Sequence, residues 1–321
     1  MNKSPNTYRE IWATTLLVKL NKGFVAGLTL FIYRLFLFEH FGGSSFAIRF
    51  VAVLTILYFI FTLILEVPTG AIGDYLGRKK AIIISFIFSF LGFLFKTSVC
   101  FSREIHFSIS LAILAELLSA SGYSFFSGTF LAWQVDSIRT NNIAEGHGPI
   151  MAKGASYSHI GIIVGSAISL TAYLLDHVYI AFSLGTISNM LIALYCGITM
   201  KETEKMNFYR GGLTITASWV RMKEIVKIGA LSCIKIPPIF YLMFINAFAQ
   251  VSVYAVLYLW GIVMKVSFGI EKMNLYWYLI VFGSFLSSFI GARLVDILHK
   301  KFFENTMQRA SNQVQWKWVV V

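Results

Sequence analysis

Apolar residues along this chain fall into long runs separated by polar breaks, and the runs are as long as membrane-crossing helices. Eight stand out, at about 22–41, 47–70, 80–99, 107–136, 151–175, 178–200, 237–262 and 274–295. Each approaches or exceeds the about 20 mostly apolar residues that a helix rising about 1.5 Å per residue needs to cross about 30 Å of hydrocarbon. The breaks are short except for 201–236, which is rich in charge and divides six runs from two. Within that break, 213–230 carries apolar residues at helical spacing, with Trp219 among them and Arg221, Lys223 and Lys227 interleaved. The pattern fits an amphipathic helix lying on a membrane surface or a solvated linker helix. The expected organisation is an all-α polytopic membrane protein. It has a six-helix bundle over 1–200, a central loop over 201–236, two further spans over 237–301 and a short tail over 302–321.

Composition supports this and removes other classes. The 321 residues are 57% hydrophobic and 13% charged, against about 45–50% and about 25% in soluble domains. Too little polar surface remains to cover a soluble globule, and the apolar content excludes a disordered or collagen-like chain. The net charge is +12, which in a soluble protein would suggest nucleic acid. With the N-terminus placed in the cytoplasm and the spans alternating, 21 of the 27 Lys and Arg fall on the cytoplasmic side, with Arg34, Arg49, Lys96, Arg103, Lys265 and Lys272 remaining. The positive-inside rule accounts for that asymmetry, so the charge reads as topology and no nucleic-acid partner is expected. The location expected is an integral, multi-pass protein of the cell or inner membrane. Met1 to Lys22 is polar and basic, with no small-residue cleavage signature after it, so the first run reads as a retained span. Cys100, Cys196 and Cys233 are scattered, with no CxxC and no Cys/His cluster, so neither disulfides nor a metal is indicated. No P-loop, HExxH or GxSxG is present, so neither an enzyme nor a cofactor is expected.

The most informative stretch follows the second run: Glu66-Val67-Pro68-Thr69-Gly70-Ala71-Ile72-Gly73-Asp74-Tyr75-Leu76-Gly77-Arg78-Lys79-Lys80. It reads as a tight turn. Gly70, Gly73 and Gly77 permit close helix approach and unusual backbone angles, Asp74 can accept hydrogen bonds at a helix N-terminus, and Arg78 to Lys80 suit an anionic leaflet. The pattern resembles the signature loop of the major facilitator superfamily, and the Glu-Val-Pro-Thr-Gly lead-in resembles its efflux-type members. A second match follows the fourth run, where Ser127-Gly128 leads to Asp136-Ser137. The resemblance implies a relay Asp74–Arg78–Asp136 that latches a gate, with Lys79 in the same loop and Glu66 serving it. Residues 292–301 align without a gap on 70–79, offset by 222, with Asp296 on Asp74 and Lys300 and Lys301 on Arg78 and Lys79. This degenerate second copy lies where a two-halves architecture would put it. In the fifth run, Gly161-Ile162-Ile163-Val164-Gly165-Ser166 lacks the proline and terminal glycines of the antiport-associated signature. The fourth run has Glu116 in the region where many proton-coupled members carry arginine. Proton antiport is therefore not implied.

Ionisable residues at membrane depth carry a functional reading by default. At about 1.5 Å per residue, Glu116 falls roughly 14 Å into the fourth run and Arg34 roughly 18 Å into the first, with His159 of the fifth at a comparable level. Three readings of Arg34 and Glu116 stand: a buried structural pair, a midplane site for substrate or proton, or snorkelling to the interface. His159 is a helix–helix hydrogen-bonding group or a proton carrier.

The resemblance implies a secondary transporter working by alternating access on small organic or amphiphilic molecules, in the direction of export, with the lipid bilayer as a further partner; a coupling proton stays an open alternative. The superfamily has twelve spans and the sequence shows about eight, so C-terminal truncation is expected. The alternatives are a non-transporting remnant of such a transporter and a membrane sensor or interaction protein built on the six-helix scaffold.

Overall fold

The computed structural model describes residues 5–30, 32–141 and 148–202, with isolated positions between 241 and 294. The loop 201–236 beyond Glu202, most of the seventh and eighth runs, the tail, and the second signature copy with Asp296, Lys300 and Lys301 lie outside the described residues. Every described element is helical: α1 (Pro5–Thr29), α2 (Ile32–His40), α3 (Ser45–Leu76), α4 (Arg78–Phe101), α5 (Ile105–Thr140), α6 (Gly148–Leu174) and α7 (Val178–Thr199). Six stretches are long and apolar enough to cross a membrane, and they coincide with the first six runs of the sequence. α1 and α2 together make the first span, Tyr8–His40. The helix is interrupted just after Thr29, whose hydroxyl donates back to the carbonyls of Val25 and Ala26 at 3.3 Å, a contact that bends helices.

Two expectations need correction. The first span starts well before residue 22, because Ile11, Thr14, Thr15 and Val18 are buried in the bundle although the exposed Arg9 and Glu10 directly precede them. Lys19 and Lys22 therefore belong to the span and not to a cytoplasmic leader. The second correction concerns 66–76, which is helix and not turn: α3 runs 32 residues, roughly 48 Å, and ends only at Gly77. Gly77 has φ +101°, a region costly for residues bearing a Cβ, and the next residue opens α4. Packing explains the longer helix. Gly73 lies against Thr129 of α5, and Thr69 sends its hydroxyl to the Leu65 carbonyl at 2.8 Å, beside the backbone bond that Pro68 cannot make.

Helix contacts rest on small residues. α1 packs on α6 more extensively than any other pair, and the reason is a reciprocal seam of Gly23 and Gly27 with Gly161 and Gly165. A Cβ added at any of the four would strike a backbone carbonyl of the facing helix, those of Ser158, Ile162, Leu20 and Phe24 respectively. Both helices thus use the Gly-x-x-x-Gly spacing that lets backbones touch where lipid provides no hydrophobic drive. α4 meets α5 through Ser85, Ser89 and Gly92 against Ala115, Ser119 and Gly122. Large apolar side chains on α3 and α7, such as Leu63, Ile64, Leu191 and Ile198, remain exposed, as expected for surfaces facing lipid or other membrane helices.

The seam yields a test. Gly161→Leu places a side chain into the α1 backbone and is expected to destabilise the bundle by about 3 kcal/mol or more, the upper end of overpacking costs, because a carbonyl cannot move aside. Gly70→Ala, with no described atom within 4 Å of the new methyl, is expected to be neutral or slightly stabilising. Thermal unfolding of both variants in detergent separates the two outcomes.

Candidate functional site

The six spans enclose three groups of charged side chains. The first lies toward the far end of the bundle, where the turns at 41–44 and 102–104 connect helices. Arg34 of α2 meets Glu116 of α5 in a two-pronged contact, Nη1 to Oε1 and Nη2 to Oε2, both 3.1 Å. Both side chains are 3% exposed. Lys96 of α4 adds Nζ to Oε1 at 3.4 Å, and its ammonium lies 4.7 Å from the centre of the Tyr33 ring. One carboxylate therefore binds two cations from two other helices. The fork geometry suits Arg rather than Lys, and a buried carboxylate needs such partners to stay charged. The group sits roughly 8–16 Å from the far ends of its helices, counting about 1.5 Å per residue from His40, Phe101 and Ile105, so it occupies the far half of the bundle.

Lys96 had been counted only as one of the six basic residues not assigned to the cytoplasmic side. Its burial was legible in helical spacing, since Ser85, Ser89, Gly92 and Lys96 form one small and polar face of α4, all buried. His159 does not join the group. Its neighbour Ser158 lies against Gly23, and from Gly23 to Arg34 the chain climbs roughly 16 Å. The His159 ring is half-buried, and its Nδ1 has no hydrogen-bond partner among the described residues.

The second group surrounds Gly77 at the near end, where α1 begins. Arg78 pairs with Asp136 of α5 at 2.9 Å, with about a fifth of each side chain exposed. The side chain of Asp74 lies outside the described residues. Glu66 accepts a hydrogen bond from the Ser127 hydroxyl at 3.2 Å, which ties α3 to α5. Lys79 sends its backbone N–H to the Glu202 carboxylate at 3.2 Å. Gly77 precedes α4 and has no side chain to cap it, so Glu202, just beyond α7, supplies the acidic cap that a helix N-terminus favours. Trp133 Nε1 donates to the Lys201 carbonyl at 3.1 Å, holding the same segment. Glu202 and Lys201 were not singled out from sequence, where they looked like the start of a charged loop.

The third group consists of Lys19 and Lys22 on α1, which reach across to α4 and α5. Lys22 Nζ donates to the Ser89 hydroxyl at 3.4 Å. Phe126, Phe130 and Trp133 stack successively along α5, with centroid separations of 4.9 and 5.8 Å. No group of three or more His, Cys, Asp or Glu suited to a metal occurs among the described residues.

A family model described as Major Facilitator Superfamily matches residues 16–306. No curated protein and no solved structure gives a match.

The far-end group predicts an asymmetric mutational response. Glu116→Gln leaves two buried cations without a counter-charge and is expected to cost about 3–5 kcal/mol. Lys96→Met keeps the two-pronged Arg34–Glu116 pair and removes the surplus cation, and is expected to be neutral or stabilising. Thermal unfolding midpoints of the two variants check the order; equal losses would mean that Lys96 is as necessary as Glu116.

Proposed function

Because the chain belongs to the major facilitator superfamily, and so to a family of membrane transporters, we propose that it moves a small organic or amphiphilic solute by alternating access, in the direction of export. The observation that carries the gating part of this reading is the Arg78–Asp136 ion pair at 2.9 Å beside the single-residue turn at Gly77. The pair joins the start of α4 to the end of α5, while Glu202 fastens that same turn to the end of α7. Three spans thus meet at one partly exposed polar contact, which can break and re-form at modest cost because water screens it. In the closed-gate arrangement Asp74 serves as the further acidic partner of Arg78. Export is supported by the Glu66-Val67-Pro68-Thr69-Gly70 lead-in and its resemblance to efflux-type sequences.

Glu116 and Arg34 have a different part. They are sealed from solvent and mutually satisfied, so in this conformation they hold α2 against α4 and α5. A proton or solute reaches Glu116 only when that packing opens. The N-terminus lies on the cytoplasmic side in this scheme, which makes the Gly77 end the inner gate.

Reporter cysteines test the gate. Thr14→Cys lies near the Gly77 end and Ser108→Cys near the opposite end, and both positions are buried. Adding Asp136→Asn is expected to raise thiol labelling at Thr14→Cys severalfold and to lower it at Ser108→Cys. Unchanged labelling at both positions would remove the latch role. Solute movement by the purified 321-residue protein in proteoliposomes tests transport itself.

A further inference from the structure

Lys19 and Lys22 are three residues apart, which puts them on one face of α1, near the middle of the span Tyr8–His40. Lys22 Nζ lies 4.6 Å and 4.4 Å from the ring centres of Phe86 and Phe126, with the Ser89 hydroxyl as its hydrogen-bond acceptor. Lys19 Nζ lies 5.6 Å from the Phe130 ring centre and 5.9 Å from that of Phe126. Among the described residues, no carboxylate pairs with either ammonium. The same turn of α1 carries one more unmatched donor, the buried Nδ2 of Asn21.

The contrast with the far-end group is informative. There, two cations share Glu116. Here, two amine side chains stand side by side at membrane depth, with ring faces and one hydroxyl as their neighbours among the described residues. Cation–π contacts recover a minor part of what a charge loses on leaving water. Among the described residues the place therefore offers cationic donors beside aromatic rings and no carboxylate. α1 and α5 are joined one turn away by the buried hydrogen bond from the Gln134 amide to the Thr15 hydroxyl, 3.1 Å, and the lysine stems reach from α1 to the rings of α5.

We propose that this face of α1 is a binding site for an organic anion with a planar aromatic body. Its carboxylate sits between the Lys19 and Lys22 ammonium groups, and its ring lies against Phe126 and Phe130. The proposal rests on the transport reading only in taking the bound anion as the solute that is moved.

Binding and flux are measured separately on the purified full chain. Radiolabelled salicylate is the anionic probe, and tetraphenylphosphonium is the aromatic cation of opposite sign. Salicylate is expected to bind and tetraphenylphosphonium not to compete. Lys19→Gln/Lys22→Gln should weaken salicylate binding by about tenfold or more, the loss expected for a charged hydrogen bond, and Lys19→Arg/Lys22→Arg should retain it. Lys22→Met should raise the thermal midpoint, because it removes an uncompensated charge. Salicylate binding unaffected by the Gln pair, or tetraphenylphosphonium bound as well as salicylate, overturns the proposal. So does a lowered midpoint for Lys22→Met, which would mark a packing role. Salicylate binding without flux in proteoliposomes removes the transport reading and leaves the anion site. Flux of another solute without salicylate binding does the reverse.

Discussion

Glu116 is the charge on which much of this bundle depends. A carboxylate in an apolar slab must be matched or neutralised, since leaving it unpaired costs several kcal/mol. It is matched by Arg34 and Lys96 from two other helices, and that requirement sets where α2 can lie. α2 is a nine-residue segment, too short to hold a position by length alone. The two-pronged Arg34 contact fixes its rotation as well as its depth, and Tyr33 then packs edge-on against Phe182 of α7 at a centroid separation of 5.4 Å. The polar contact thereby organises the apolar core around it.

Backbone proximity is the second constraint, and it acts on the same first span. The glycine seam draws α1 onto α6 until carbonyls occupy the space where side chains would be. A helix pressed so closely to one neighbour meets others through side chains, and α1 meets α5 through the Gln134–Thr15 hydrogen bond and the lysines above it. Long side chains cross the space that this leaves, and lysine is well suited to that, with an apolar stem and a polar tip. The uncompensated charges of α1 and the close packing of its other face are thus two consequences of one arrangement.

The positions of the six described spans were legible in the sequence, because hydropathy measures the same property that membrane burial requires. The Arg34–Glu116 contact was foreshadowed by depth counting, which put the two residues at similar levels. The errors share a cause. The apolar run begins at residue 22, yet tertiary packing continues the first helix back through Ile11 and Val18, so Lys19 and Lys22 looked like a basic leader. Pro68, Gly70 and Gly73 suggested a turn, but contact with Thr129 and Ser127 of α5 keeps that stretch helical. Local propensity lost to packing at both places. Gly161 and Gly165 were judged by what they lacked relative to an antiport signature, whereas their spacing, matched by Gly23 and Gly27, was the real signal.

The two ends of the bundle differ in what it takes to open them. Separating Arg34 and Lys96 from Glu116 exposes buried charges to an apolar surround, at about 3–5 kcal/mol for a broken pair. Separating Arg78 from Asp136, already in partial contact with water, costs about 1 kcal/mol or less. The polar contacts around Gly77 are additional but individually of the same small order, and Glu202 is itself exposed. Among the described residues, the contacts at the Gly77 end are thus the ones that separate at modest cost. The far end is held by the more costly contact of the two. Lys19 and Lys22 lie between these two ends, where α1 meets α4 and α5 through ring faces and the Ser89 hydroxyl and not through an ion pair among the described residues.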